Sequence, residues 1–181
     1  MKILALSGSL RANSINSALL RAAAKLAPMG LTVTVYHGLG DLPLFNPDIE
    51  DRSIESVTNF HAQVANAGAL LIASPEYAHG VTGTLKNALD WLVSFAPFTY
   101  KPVGIFNASP RAQHADAALR EILKTMSAMV VEEASMTIPL LGANLDEDGM
   151  VSTPSVAAPI RGALVALSEA VVRAAEQQQE S

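Results

Sequence analysis

The chain has 181 residues, half of them apolar, no cysteine and a formal net charge of −5, which fits one domain spanning 1–181 and excludes disulfides, zinc–thiolate sites and thiol nucleophiles. The acidic balance, without a Lys/Arg cluster, speaks against nucleic acid as a partner, and the lack of thiols fits a cytoplasmic protein. No unbroken apolar run reaches the roughly 18 residues of a membrane span, Met1 to Leu6 is too short a run for a signal peptide, and His37, His61, His79 and His114 share no metal-ligand spacing.

The first expected strand, Lys2 to Leu6, runs into Ser7-Gly8-Ser9-Leu10-Arg11-Ala12-Asn13-Ser14-Ile15-Asn16 and a helix marked by Leu19, Leu20, Ala23 and Leu26. Unpaired N–H groups and the dipole of a helix start favour an anion. Ser9, Ser14, Asn16 and Ser17 add side-chain donors, and Arg11 adds a forked charge suited to phosphate. The plainer alternative is an N-cap in which Ser14 accepts from the N–H of Ser17 while Arg11 is merely solvated. A cluster of hydroxyls exceeds what capping needs, which favours the anion. The single Gly8 and the absent Gly-Lys-Ser/Thr exclude a dinucleotide fingerprint and a triphosphate loop. A second strand, Thr32 to Tyr36, follows Gly30 as helix stop, and its alternation places it near a sheet edge.

His37 to Arg52, with Pro43 and Asn46-Pro47, reads as an irregular excursion, either a lid or a subunit contact. Val57, Phe60 and Val64 mark a second helix. Ala69 to Ala73 lacks polar alternation, as expected of a parallel strand covered on both faces. The loop Ser74 to Gly83 follows, stiffened by Pro75, with Gly80 and Gly83 expected to take the unusual torsions. Its backbone suits the polar edge of a flat heterocycle. Tyr77 offers an aromatic surface and His79 a donor, although core packing and solvation account for them equally well. Leu85, Ala88, Leu89 and Leu92 mark a third helix. Beyond a strand at Val103 to Asn107 lie the loop Ala108 to Ala115 and a fourth helix on Leu119, Ile122, Leu123 and Met126. A fifth strand is placed around Val130 to Ser135 and a last helix on Ile160, Leu164, Leu167 and Val171. Five strands with crossover helices make an α/β doubly wound parallel sheet with helices on both faces. Its ligand belongs beyond the strands' carboxyl ends.

Gly8-Ser9-Leu10-Arg11 with Ser14 and Asn16, then Pro75-Glu76-Tyr77 and Leu85-Lys86-Asn87-Ala88-Leu89-Asp90-Trp91-Leu92, resemble the motifs of the NAD(P)H-dependent FMN reductase family. That family is flavodoxin-like and includes bacterial quinone, chromate and azo reductases. The resemblance implies that Ser9, Arg11, Ser14, Asn16 and Ser17 hold the FMN phosphate, with Ile15 in the same cofactor-binding set. It implies that Pro75, Glu76, Tyr77, Ala78, His79 and Gly80 run along the isoalloxazine, largely through backbone, with Ser109 at its other edge. No acid–base residue is expected, since the flavin carries the chemistry. NADPH or NADH would deliver hydride to N5, a backbone N–H between Ala78 and Gly80 would lie near it, and a quinone, free flavin, azo dye or metal oxyanion would follow in ping-pong order. Two departures from the family stand out: Ala78 where many relatives carry Asn, and Ser109-Pro110-Arg111-Ala112-Gln113 where relatives often have a Gly-Gly turn.

Trp91 and Phe95 form a second apolar surface on the third helix, either core or, as the resemblance implies, the interface of a homodimer or homotetramer. Lys86 and Asp90 are placed to pair within that helix or across the interface. The rival readings are an electron-carrying flavodoxin that does not use nicotinamide, and a doubly wound interaction domain without a cofactor.

Overall fold

The computed structural model describes residues 1–179. Strands β1 (Lys2–Ser7), β2 (Thr32–Tyr36), β3 (Ala69–Ala73) and β6 (Pro102–Asn107) are parallel, in the order β2-β1-β3-β6. Between β3 and β6 the chain makes a small antiparallel hairpin of β4 (Glu76–Tyr77) and β5 (Gly80–Val81). As its alternation indicates, β2 is an edge strand, while all five residues of β3 are buried.

The sheet is covered on both faces. Successive side chains of a strand point to opposite sides. Ile3, Ala5 and Leu71 therefore join a core with α1 (Ile15–Leu26) and α6 (Pro154–Gln179). Leu4, Leu6, Leu70 and Ile72 join a second core with α2 (Glu55–Asn66), α3 (Gly83–Asp90) and α4 (Gln113–Thr125). From Pro154 to Gln177, α6 is long and apolar enough to cross a membrane by length and composition. It contains no unbroken apolar run of that length, because Arg161, Ser168 and Glu169 interrupt the pattern. Its Ile160, Ala163, Leu164, Leu167 and Ala170 are buried in the first core.

Three expectations need correction. The fifth strand at 130–135 is two short pieces, β7 (Met129–Val130) and β8 (Met136–Thr137), on either side of a 3₁₀ turn at Glu132–Ala134. They pair with the two ends of β6, so the sheet has six strands. Opposite the turn stands Gly104, where a Cβ would lie 2.8 Å from the carbonyl oxygen of Ala134. Ser135 Oγ replaces the missing ladder acceptor for the N–H of Ile105 at 3.1 Å. Gly30 does not stop α1, whose C-cap is Ala27. It takes φ +87° in the turn closed by Leu31 N–H on Pro28 O, the place where such a turn requires a left-handed residue.

The third correction concerns Trp91. It is 1% exposed, its indole N–H donates to Pro43 O at 2.9 Å, and its ring meets Phe45 edge-on. Phe95 stacks on His61 of α2 at 4.1 Å between ring centres. Trp91 belongs to the intrachain core, because the 37–52 excursion folds down over this helix rather than leaving its face open, whereas Phe95, half-buried, lies beyond the helix end at Asp90 and packs against that core. Asn87, one turn before Trp91, also donates to Pro43 O and accepts from Phe45 N–H. Lys86 and Asp90 pair within the helix at 2.5 Å.

Candidate active site

The loops that leave β1, β3 and β6 meet beyond the carboxyl ends of these strands, where the order turns back at β1. They enclose a cleft of about 480 Å³. Close packing joins the first two loops. Gly8 N–H donates to Ala73 O at 2.9 Å, and a Cβ on Gly8 would sit 2.1 Å from Ser74 Oγ, so no other residue fits without displacement. Buried Thr82 caps α3 by accepting from Leu85 N–H and donates to Gly8 O at 2.7 Å.

Ser9, Arg11, Ser14, Ile15 and Asn16 line the cleft beside the start of α1. Ser14 is the N-cap, accepting from Ser17 N–H at 3.4 Å. The cap and the cluster thus coexist. The Arg11 guanidinium is exposed and makes no hydrogen bond or ion pair among the described residues. Asn16 is buried, yet its Oδ1 has no partner. Such a buried acceptor is costly unless something completes it. A phosphate beside Arg11 and the α1 start, followed by a hydroxylated chain that can donate to Asn16, fits this donor and acceptor set. That is the chemistry of FMN. Ser17 is not among the residues lining this cleft; it lines an adjoining cavity with Ser9 and Arg11, and its hydroxyl bonds Ser7 Oγ at 2.7 Å.

Pro75, Glu76 and Tyr77 line the opposite wall, and the Tyr77 ring is 59% exposed. The Glu76 carboxylate is occupied: it accepts from Ala115 N–H at 2.8 Å and caps α4, which has no local capping side chain. Ala78, His79 and Gly80 do not line the cleft but form the hairpin turn and its exit. The unusual torsions fall on Ala78 (φ +49°) and His79 (φ +58°), not on Gly80 or Gly83. Two consecutive left-handed residues are the mark of a tight two-residue hairpin, where Asn-Gly is favoured. Retaining Ala and His there stores strain of order 1–3 kcal/mol per residue. His79 also stacks on His114, the second residue of α4, at 4.4 Å.

Ser109 lines the cleft from the third loop. Sequence reasoning missed its supports and neighbours: Asn107, Arg111 and Leu141. Asn107 Oδ1 accepts from Ser109 N–H, and its Nδ2 donates to Ala112 O. An Asn ending an apolar strand before Ser-Pro is a recognisable turn signal. Leu141 reaches the cleft only through tertiary folding.

A doubly wound sheet with a hydroxyl-rich loop at a helix start and an exposed aromatic wall at its switch point defines a flavodoxin-like flavoprotein. A family model described as NADPH-dependent FMN reductase matches residues 1–140. The chain is 30% identical to a quinone reductase of Escherichia coli over 96% of each sequence. It is 40% identical over 112 residues, 60% of each sequence, to an NAD(P)H-dependent FMN reductase of Pseudomonas aeruginosa. Its fold matches the flavoenzyme NAD(P)H:(acceptor) oxidoreductase FerB from Paracoccus denitrificans with a TM-score of 0.79 at 27% identity, covering 95% of this chain and 97% of that one. The chain belongs to the NADPH-dependent FMN reductase family, oxidoreductases that use FMN and NAD(P)H.

Proposed function

We propose that the protein reduces small oxidants, quinones foremost, with hydride from NADPH or NADH in a ping-pong sequence. The buried, unpaired Oδ1 of Asn16 beside the free Arg11 guanidinium carries this reading, because it leaves a donor and acceptor set that FMN completes. Ser9, Arg11, Ser14 and Asn16 hold the phosphate end, with Ser17 fixing the loop. Pro75, Glu76, Tyr77 and Ser109 flank the ring, and Ala78 to Gly80 hold the hairpin that presents Tyr77. When bound, FMN supplies the hydride chemistry, and the chain's own residues bind and orient. Glu76 is spent on capping α4, and no cysteine or paired acid stands in the cleft, so the residues position rather than exchange protons. One cleft suits donor and acceptor in turn. Free flavin, azo compounds and metal oxyanions are further acceptors of the same kind, and the cytoplasm, where NAD(P)H is available, is the place of action.

Anaerobic stopped-flow mixing of the FMN-loaded protein with NADPH or NADH tests the reading. Bleaching of the flavin band, followed by recovery on adding a quinone, is expected, together with parallel double-reciprocal plots. A flavin that stays oxidised for seconds indicates an electron carrier instead, and intersecting plots overturn the ping-pong order.

A homodimer is the assembly we favour over a homotetramer. With Trp91 buried and Phe95 half-buried, the surface beside them is carried by exposed Leu44 and Val93. Light scattering that gives a monomer at micromolar concentration rules this out.

A further inference from the structure

The third loop carries a cation that the family motifs do not explain. Arg111 lines the main cleft together with Ser109 and Leu141, and the same three residues wall a neighbouring cavity of about 330 Å³. The second cavity is completed by Pro110, Pro139 and Gly142. Its surface is therefore mostly apolar, with Leu141 59% exposed, and Arg111 stands at the junction. The loop fixes this position. Ser109 Oγ accepts from Arg111 N–H at 3.2 Å, while Asn107 holds Ser109 and Ala112 at 2.9 and 3.2 Å.

The charge of Arg111 has no counterpart among the described residues. Its guanidinium makes no hydrogen bond or ion pair among the described residues. The one acidic side chain lining either cavity is Glu76, and its carboxylate caps α4. In a chain of net charge −5, two free guanidiniums at one cleft form a local positive site. Arg11 serves the loop of α1, which leaves Arg111 for a ligand that enters after the cofactor is seated. A flat ring fits the wall of Pro110, Pro139 and Leu141, and an ionised substituent on that ring fits a forked guanidinium.

We propose that Arg111 is a specificity-determining residue that selects aromatic quinones bearing an acidic substituent. This rests on the quinone-reducing function proposed above. The reaction is NAD(P)H plus quinone plus one proton to NAD(P)⁺ plus hydroquinone: the donor loses a hydride, the quinone gains two electrons and two protons, and the second proton comes from solvent. Arg111 takes no part in that exchange and contacts only the charged substituent.

The test compares 1,4-naphthoquinone-2-sulfonate with 1,4-naphthoquinone, using the FMN-loaded protein and its Arg111→Ala and Arg111→Lys variants. Selectivity for the sulfonated compound, read as the ratio of the two kcat/KM values, should fall about tenfold in Arg111→Ala, as expected for losing one charge-assisted contact. Arg111→Lys should restore much of it. Calorimetric titration with naphthalene-2-sulfonate, which cannot be reduced, should show a matching loss of affinity. An unchanged ratio, or an effect confined to the KM of NADPH, overturns the proposal. Should the wild type reduce neither quinone, the functional reading falls, while the calorimetry still decides the role of Arg111.

Discussion

At the scale of single residues, the site depends on groups left without partners and groups held in costly conformations. Arg11 has no counter-charge among the described residues, so Arg11→Ala should weaken FMN binding roughly tenfold or more, the effect of one charge-assisted phosphate contact. Fluorescence titration of apoprotein with FMN measures it, and unchanged affinity would place the phosphate elsewhere. Ala78 adopts a left-handed conformation that Asn tolerates better. Ala78→Asn should therefore raise stability by about 1 kcal/mol, seen as a higher urea midpoint at constant slope. Both residues show how far sequence reading reaches. The Ser-Leu-Arg pattern already places clustered hydroxyls and a guanidinium at a helix start by residue type alone. The torsions at Ala78 and His79 contradict their types, because the register of Glu76 with Val81 and Tyr77 with Gly80 leaves only two residues for the turn.

At the scale of elements, short polar contacts between loops hold the cleft open. Thr82 bonds the first loop's Gly8 and the third helix at once. Thr82→Val preserves shape but leaves a buried carbonyl and a helix start unpaired, so a loss of about 1–3 kcal/mol is expected. Thr82→Ser should recover most of it in the same urea titration. The Lys-Asn-Ala-Leu-Asp-Trp motif acquires a physical meaning here. Asn87 and Trp91 lie one helical turn apart and share Pro43 O, so they strap the 37–52 excursion to α3. From the sequence, an aromatic beyond a complete apolar stripe suits either a core or an interface. The choice was not legible because the covering segment lies 48 residues away. Trp91→Ala should lower stability by about 3–5 kcal/mol. Loss of the oligomer in light scattering with an unchanged unfolding midpoint would restore the interface reading.

Across the whole molecule, the C-terminal quarter is tied to the first helix by charge. Glu147, which opens α5 (Glu147–Ser152), pairs with Lys25 at 2.6 Å and with Arg21. Hydrogen bonds from Lys25 first, then Arg21, hold its carboxyl below the ordinary value of 4.5. A depressed carboxylate favours the fold above its unfolded pKa and loses that contribution as pH falls through the folded one. The urea midpoint of the wild type should therefore drop more between about pH 5 and about pH 3 than that of Glu147→Gln. High salt should narrow the difference, since the groups are partly exposed.

Residue order alone set the strand and helix alternation up to about residue 126, the hydroxyl-rich loop with Arg11 before α1, and the edge position of β2. These follow from residue type and periodicity, which act over a few neighbours. Tertiary structure alone decided four things: the split of the last strand, the burial of Trp91, the capping of α4 by Glu76, and the placing of Arg111 and Leu141 at one cavity. Each of these joins segments far apart in the chain. Their energies come from packing and hydrogen-bond completion that no local pattern encodes.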